Sequence, residues 1–361
     1  MTERRGYFTA GKFDQFKRDI PYSAITQAFN EFCRYMLMED TQTLTNRRKK
    51  ILDAVDDRGQ IIIDVIPDLE LVIGEQSPVA NVGPVEAQNR FNLTFHNFIR
   101  ALCAEEHPFI LFIDDLQWVD SASLTLLKSL MEDESLHNLL LIGAYRDNEV
   151  DENHPFIIAV EELRKSNSII NKIELFNLQQ EDIRHLLKDS LSCEEKWILP
   201  LAELIHQKTG GNAFFTHQFI HTLYEDELLN FIYKKRHWEW DIEQIVTRNI
   251  SENVVELMAA KIKKLSANTC QSLRLAACIG NKFNLHILSI IYEHNCEETL
   301  AALRAAINDG LILPIDEHYS PLNKQEERQF RFLHDRVQQA AYALIDSDER
   351  DVVHLSIARL L

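Results

Sequence analysis

The sequence predicts an α/β protein, built on a parallel sheet and continued by a mostly helical region. Three observations carry this. Apolar runs the length of strands, Phe109–Ile113 and Leu139–Tyr145, alternate with stretches of helical spacing, the order that parallel sheets require. Near Leu178 the pattern changes to successive helical stretches. From Ala267 three further helical stretches are followed by two β-prone runs around a polar segment, the element order of a winged helix.

Taken in order, Tyr7–Ala10 is a short β-prone run and Tyr22–Met36 has helical spacing. Thr41–Gly83 is mixed, with apolar runs at Ile61–Ile66 and Leu69–Ile73, and helical periodicity returns at Val85–Leu102. Phe109–Ile113 is continuously apolar and ends in two acids, as a strand buried on both faces does. Ser121 is placed to cap a helix over Ser121–Glu132. Leu139–Tyr145 is expected as another buried strand, Pro155–Lys165 as a helix opening with proline, and Ile169–Leu175 as a further strand. Gln179–Leu191, Glu194–Lys208 and Asn212–Tyr224 follow as helices, Leu228–Trp240 as a hairpin, and Asn253–Leu265 as a helix. Then come helices at Ala267–Gly280, Leu285–His294 and Glu297–Asp309, and two strands, Leu311–Ile315 and Gln329–Leu333, pairing around Asp316–Arg328. The last patterned stretch, Ile357–Leu361, ends within a helix and is expected to be truncated.

A chain of 361 residues is long enough for two to three domains at about 150 residues each. A net charge of −18 argues against coating nucleic acid or anionic lipid, both of which need a positive face. The six cysteines form no CxxC pair and no zinc spacing, so buried reduced thiols are expected. Met1–Arg5 is polar and the apolar runs are strand-sized, which points to a cytoplasmic chain without a membrane span.

The strongest chemical signal is the run Phe109-Ile-Leu-Phe-Ile-Asp114-Asp115, followed by Leu-Gln-Trp-Val-Asp120. Acids at the C-terminal end of a buried strand stand where α/β proteins hold ligands. One can hold Mg²⁺ through water and the other can orient or deprotonate the water attacking a γ-phosphate; alternatively, both merely end the strand or cap the next helix. Two adjacent carboxylates also repel, so removing one charge is expected to be neutral or mildly stabilising. Arg146, at the end of the next strand, either senses developing phosphate charge or pairs with Asp115, Asp147 or Glu149. Gly6-Tyr-Phe-Thr-Ala-Gly11-Lys12 fits G-x-x-x-x-G-K, but Phe13 stands where Ser or Thr should ligate magnesium. It is expected to be a strand and its turn, with Lys12 a replaceable surface residue. Glycine is scarce, 10 in 361 against a usual ~7%, and no other glycine offers a phosphate loop. His217 and His221 have an i, i+4 metal spacing without an evident third ligand, and Arg47–Lys50 and Lys234–Arg236 are expected as solvated faces.

Gly6–Ala24, Phe109–Asp120, Gly143–Val150, Gly210-Gly-Asn-Ala-Phe-Phe215 and Phe332–Ile345 together resemble one family across nearly the whole chain. This is the AAA/STAND-type (origin-recognition-like) ATPase module of bacterial hybrid signalling proteins, which join a serine/threonine kinase, the ATPase, a GAF domain and a histidine kinase. The resemblance implies a P-loop-NTPase-like sheet, N-terminally truncated because the family's Walker A loop falls before Gly6. It implies a nucleotide-binding core over residues 1–178, a helical lid over 179–265 and a winged-helix-like domain over 266–361. Asp114 and Asp115 match the Walker B acids, which implies magnesium held by both and catalysis by Asp115; Arg146 matches a sensor position. Asn212 and Phe214 match the lid motif near the nucleotide base, with Ala213 where the family has proline.

The function that the resemblance implies is an ATPase or nucleotide-switch module of a multidomain signal-transduction protein, using ATP and Mg²⁺ and incomplete for hydrolysis on its own. Its expected partners are attached or associated kinase and histidine-kinase domains, and copies of itself. Two other function classes stand beside this: a nucleotide-independent interaction module on a degenerate ATPase core, and a winged-helix DNA-binding regulator, which the acidic balance disfavours.

Overall fold

The apolar run at Phe109 becomes the middle strand of a parallel sheet. The structure, a computed structural model, describes residues 6–14, 20–80, 82–103, 107–166, 168–247, 253–315 and 328–359. It divides into two units, Met1–Lys172 and Ile173–Leu361. In the first, β1 (Tyr7–Lys12), β2 (Phe109–Asp114) and β3 (Leu139–Gly143) pair in the order β1-β2-β3, all parallel. Their register brings the C-terminal ends level, with Lys12 opposite Asp114 and Ile113 opposite Gly143. The α/β class read from the sequence is therefore the fold of this unit.

Parallel strands need long crossovers, and these carry the helices. Between β1 and β2 run α1 (Ser23–Leu37), α2 (Thr41–Val55), α3 (Gly59–Ile63), α4 (Leu69–Ile73) and α5 (Pro84–Leu102). After β2 comes α6 (Ser121–Glu132), and after β3 comes α7 (Pro155–Lys165). Phe29 and Phe32 of α1 and Phe95 and Phe98 of α5 gather with Phe109 in the core, with ring centroids 5.0–6.0 Å apart. Most of these contacts are edge to face, the arrangement favoured by the ring quadrupole. Gly11 is what lets α1 approach β1, since a Cβ there would lie 2.0 Å from the Ala24 carbonyl oxygen. Its role is close packing within a strand, and Gly6–Lys12 is a strand as the sequence predicts.

Three local expectations are corrected. The α6 cap is Asp120, whose carboxylate accepts from the Ser123 backbone N–H at 2.8 Å; Ser121 is already the first helical residue. The run Leu139–Tyr145 does form a strand, but a partly exposed one, with Leu140 53% exposed. An apolar run marks a strand without saying what covers it. Ile169–Leu175 forms no strand: Ile169, Ile173 and Leu175 are 93%, 84% and 92% exposed. Strand propensity becomes a strand only when an edge offers hydrogen bonds, and among the described residues this segment pairs with no strand.

The second unit opens with α8 (Gln180–Leu191), α9 (Glu195–Thr209) and α10 (Ala213–Glu225), then the hairpin β4 (Leu229–Ile232) and β5 (His237–Trp240). It continues through α11 (Ile242–Thr247), α12 (Val254–Lys263), α13 (Ala267–Ile279), β6 (Lys282–Asn284), α14 (Leu285–Ile291) and α15 (Cys296–Asn308). Two strands, β7 (Ile312–Ile315) and β8 (Gln329–Phe332), precede α16 (Asp335–Ala343) and α17 (Ser347–Ala358). β7 and β8 pair antiparallel as expected, and the three-residue β6, too short to read from periodicity, pairs with β8 on its other side. The polar stretch between them lies, over residues 316–327, outside the described residues, as do residues 1–5 and the chain end at 360–361. No described helix is long and apolar enough to cross a membrane.

The cysteines are unpaired thiols. Burial pushes the thiols of Cys33 and Cys103 up to about 12 and that of Cys278 up to about 11, so they carry almost no thiolate at neutral pH. The basic run at Arg47 is only partly a solvated face. Arg47 turns inward to pair with Glu39 and the Tyr7 hydroxyl, and Arg48 donates to the Ile73 carbonyl.

Candidate functional site

The level strand ends place four charged residues, Lys12, Asp114, Asp115 and Arg146, at one edge of the first unit's sheet. Asp114 is the last residue of β2, and Asp115 follows with φ 54° and ψ 45°, a left-handed conformation that Asp tolerates better than most residues. The Asp114 carboxylate accepts the Asp115 N–H at 2.9 Å, and this unusual turn swings the Asp115 side chain inward, where the residue is 4% exposed. A short 3₁₀ turn, Leu116–Trp118, is then pinned to the end of β3 by Leu116 N–H donating to the Ala144 carbonyl at 2.9 Å.

Asp115 is surrounded by partners. The buried Gln117 amide donates to its Oδ1 at 2.9 Å, while the Gln117 side-chain carbonyl oxygen accepts the Arg146 backbone N–H at 3.2 Å. One side chain thus ties the end of β2 to the segment following β3. Arg146 Nε lies 3.7 Å from Asp115 Oδ1, its Nη1 donates to Glu149 at 2.9 Å, and its guanidinium sits 5.2 Å from the Trp118 ring centre. Of the two sequence readings of Arg146, the one this geometry displays is the pairing, with Asp115 and Glu149. His154 Nε2 is 3.1 Å from the Gln117 backbone carbonyl and closes the back of the turn.

On the other side stands Lys12, whose Nζ is 2.8 Å from Asp115 Oδ2 and 3.4 Å from Asp114 Oδ2. Among the described residues no donor meets Asp115 Oδ2 with hydrogen-bonding geometry, so charge alone links this buried oxygen to the ammonium. The two carboxylates are therefore balanced by Lys12 and Arg146. The expected uncompensated repulsion is corrected accordingly, and so is the expectation that Lys12 is a replaceable surface residue. Sequence reasoning missed Lys12 and Gln117 as members of this cluster. The signal for Lys12 was present in the pairing of β1 with β2, which sets Lys12 across from Asp114, but that register emerges only on folding.

A Mg²⁺ ion needs hard oxygen ligands at about 2.0–2.1 Å in octahedral array. Asp115 already spends one oxygen on Gln117 and Arg146 and faces an ammonium with the other, and Asp114 Oδ2 shares that ammonium. With Lys12 in this position the pair does not fit a metal held by both carboxylates. Elsewhere, among the described residues, no group of three or more His, Cys, Asp or Glu side chains is placed to hold a metal. His221, on α10 with His217, lies beside Glu225 and Lys261.

Asn212 and Phe214 belong to the second unit. Asn212 caps α10, its Oδ1 accepting the Phe215 N–H at 2.9 Å, and the Phe214 ring stacks on His334 at 4.1 Å between centroids. The preceding Gly211 has φ 72°, and a Cβ there would lie 2.0 Å from the Leu178 carbonyl oxygen, so glycine is required at that turn.

Residues 1–142 match the AAA ATPase domain family. Across 98% of its length the chain is 29% identical to hybrid signal transduction histidine kinase G of Dictyostelium discoideum, and across 86% it is 21% identical to the peroxide stress-activated histidine kinase mak3 of Schizosaccharomyces pombe. It spans only 13% and 15% of those proteins' lengths. Among solved structures it is similar to a Signal Transduction ATPase with Numerous Domains carrying a tetratricopeptide repeat sensor, from Pyrococcus horikoshii (TM-score 0.38, 13% identity, covering 99% of this chain and 43% of that one). Another is Cdc6p from Pyrobaculum aerophilum (TM-score 0.29, 11% identity, covering 82% and 76%). The sheet whose edge gathers Lys12, Asp114, Asp115 and Arg146 thus lies largely within the residues that match the AAA ATPase domain.

Proposed function

We propose that this chain is the ATPase or nucleotide-switch module of a multidomain signal-transduction protein. One observation carries the reading. In a unit whose first 142 residues match the AAA ATPase domain, a buried carboxylate, Asp115, is hydrogen-bonded through Gln117 to the segment bearing Arg146 at the C-terminal edge of a parallel sheet. That edge is where open α/β sheets bind ligands. In this reading Asp115 orients or deprotonates the water that attacks ATP, and Arg146 answers charge developing on the phosphate. Residues 1–178 are then the nucleotide-binding core, 179–265 a helical lid that carries the family's Asn212 and Phe214 motif, and 266–361 a winged-helix-like domain. Helices α13, α14 and α15 with the β6-β8-β7 sheet support the last assignment. Similarity to two histidine kinases supports histidine-kinase domains as partners, and copies of the same chain and a cytoplasmic setting complete the proposal.

The test is made in the full-length protein that contains this chain. ATP is expected to alter the proteolysis pattern of residues 1–361, and Asp115→Asn to lower phosphate release by about 100-fold or more while ATP still binds. An unchanged proteolysis pattern, with phosphate release indifferent to Asp115→Asn, would overturn the reading. It would favour a nucleotide-independent interaction module instead, a reading supported by the charge balance that Lys12 and Arg146 already give the acids.

A further inference from the structure

We propose that the β4–β5 hairpin is a docking surface for a carboxylate-rich segment of a partner polypeptide. The inference goes beyond the nucleotide-switch reading and does not rest on it. Acids outnumber bases 56 to 38 along the chain, yet the hairpin reverses that balance. From Leu229 to Trp240 its only acid is Glu239, against Lys234, Lys235 and Arg236. The Ile232 carbonyl accepts the backbone N–H of Lys235 at 3.0 Å and of Arg236 at 2.8 Å, and Arg236 closes the turn with φ 55°. This turn gathers the three bases at an exposed tip. Glu239 is already held, by Lys235 at 2.7 Å and by His237 at 2.9 Å. The acids at the end of α10, Glu225 and Asp226, are paired with Lys261 and Lys264. Lys234 and Arg236 have no ion pair among the described residues, so the tip offers two cations to a partner.

An aromatic ladder leads to the same tip. Tyr224 of α10 meets Trp238 edge to face at 6.0 Å, Trp238 meets Phe231 at 5.4 Å, and Phe231 meets Tyr233 at 5.2 Å. The inner rings are anchored, since Trp238 packs on the second unit's core and stands directly across the hairpin from Phe231. The outer rings face water, with Tyr233 84% and Tyr224 56% exposed. Rings so exposed add little to the fold. Tyr and Trp beside Arg are, however, the residues that dominate binding surfaces, because a ring offers a large area at the cost of few rotatable bonds. Apolar side chains of the bound segment lie on the two tyrosines. Its carboxylates lie at Lys234 and Arg236, whose guanidinium fork takes a carboxylate through two N–H donors. Charge favours such a segment over nucleic acid or an anionic membrane. Those present a lattice of negative charge that extends past the tip toward a chain of net charge −18, whereas a short segment meets the bases alone.

The experiment follows the fluorescence anisotropy of a short labelled peptide that alternates Glu and Leu as the chain is added, without nucleotide. Saturable binding is expected below about 1 mM, weakening as salt is raised. Lys234→Glu combined with Arg236→Asn is expected to weaken it by about tenfold or more, and Tyr233→Ala by about fivefold. Asn suits the left-handed backbone at Arg236, so the turn is kept, and an unchanged thermal melt verifies the fold. The control, Lys49→Glu with Lys50→Gln, changes the net charge equally on exposed residues of the first unit and is expected to stay within about twofold. Absence of saturable binding overturns the proposal, and so does an equal loss in the control, which would mean attraction by bulk charge. Oligothymidylate of the same charge, or phosphatidylserine vesicles, bound as tightly as the peptide overturns it in favour of a nucleic-acid or membrane contact. If Tyr233→Ala fails to fold, Tyr233→Ser with the charge variant decides in the same way. Because nucleotide is absent, failure here leaves the ATP test in the full-length protein to stand or fall separately.

Discussion

Replacing Asp115 by Asn isolates the charge at the centre of the strand-end cluster. Asn is as tolerant of the left-handed backbone at this position as Asp, and its side-chain oxygen can still accept from Gln117. What disappears is the partner of Lys12 at 2.8 Å and of Arg146 at 3.7 Å. At an effective dielectric of 20, a 2.8 Å pair has a raw Coulomb energy of about 6 kcal/mol, an upper bound before desolvation is subtracted. Removing one member of a fully buried pair costs about 3–5 kcal/mol. Here Lys12 is partly exposed and keeps Asp114 at 3.4 Å, and Arg146 keeps Glu149, so the expected loss is about 1–3 kcal/mol. Urea unfolding of the chain with and without the substitution measures it as a lower midpoint at unchanged slope. The loss is expected to persist at high salt, because a pair with one buried member is weakly screened. A neutral or stabilising result would refute the reasoning, since it would mean that the carboxylates repel each other without compensation.

Other substitutions separate packing from chemistry. Gly11→Ala is expected to destabilise the first unit by about 1–3 kcal/mol, because the new methyl group would overlap the Ala24 carbonyl; a thermal melt matching the unmodified chain would return Gly11 to the role of a loop glycine. Asn212→Ala removes the α10 cap and is expected to cost about 1 kcal/mol of the second unit's stability, read by denaturant titration. Asp133 is partly desolvated, which raises its pKa, but hydrogen bonds from Ser135 and His96 and the Arg100 charge outweigh that and hold the carboxyl below its usual range. A depressed folded-state pKa gives stability that is present above the unfolded value and lost as pH falls through the folded one. Asp133→Asn is therefore expected to destabilise at neutral pH, with the difference from the unmodified chain shrinking as pH falls below about 4; a difference that grows on acidification would contradict the assignment.

Much of this architecture was legible because it is written in local pattern. Phe109–Ile113 announced a strand by continuous apolarity, Val85–Leu102 and Gln179–Leu191 announced helices by a 3.6-residue period, and Leu228–Trp240 announced a hairpin by its β-prone aromatic residues. These signals survive in the folded chain because backbone hydrogen bonding and side-chain spacing act over a few residues. The acids of the site were legible for the same reason: Asp114 and Asp115 end an apolar strand, and the strand's direction decides which edge they occupy.

Tertiary contact decided the rest. Lys12 and Asp115 are about a hundred positions apart, and only the parallel register of β1 on β2 turned an apparent surface lysine into the counter-ion of a buried carboxylate. Gln117 had no signal of its own, because its role is to join Asp115 to a segment some thirty residues further on. Ile169–Leu175 carries the composition of a strand and forms none, since a strand needs a neighbour's hydrogen bonds and no local pattern can supply them. What the sequence by itself determined was where the strongly patterned helices and strands would lie and which end of the sheet would carry acids. The folded structure alone decided which cation those acids face, because ion pairing depends on distances between groups that the chain brings together only when it closes.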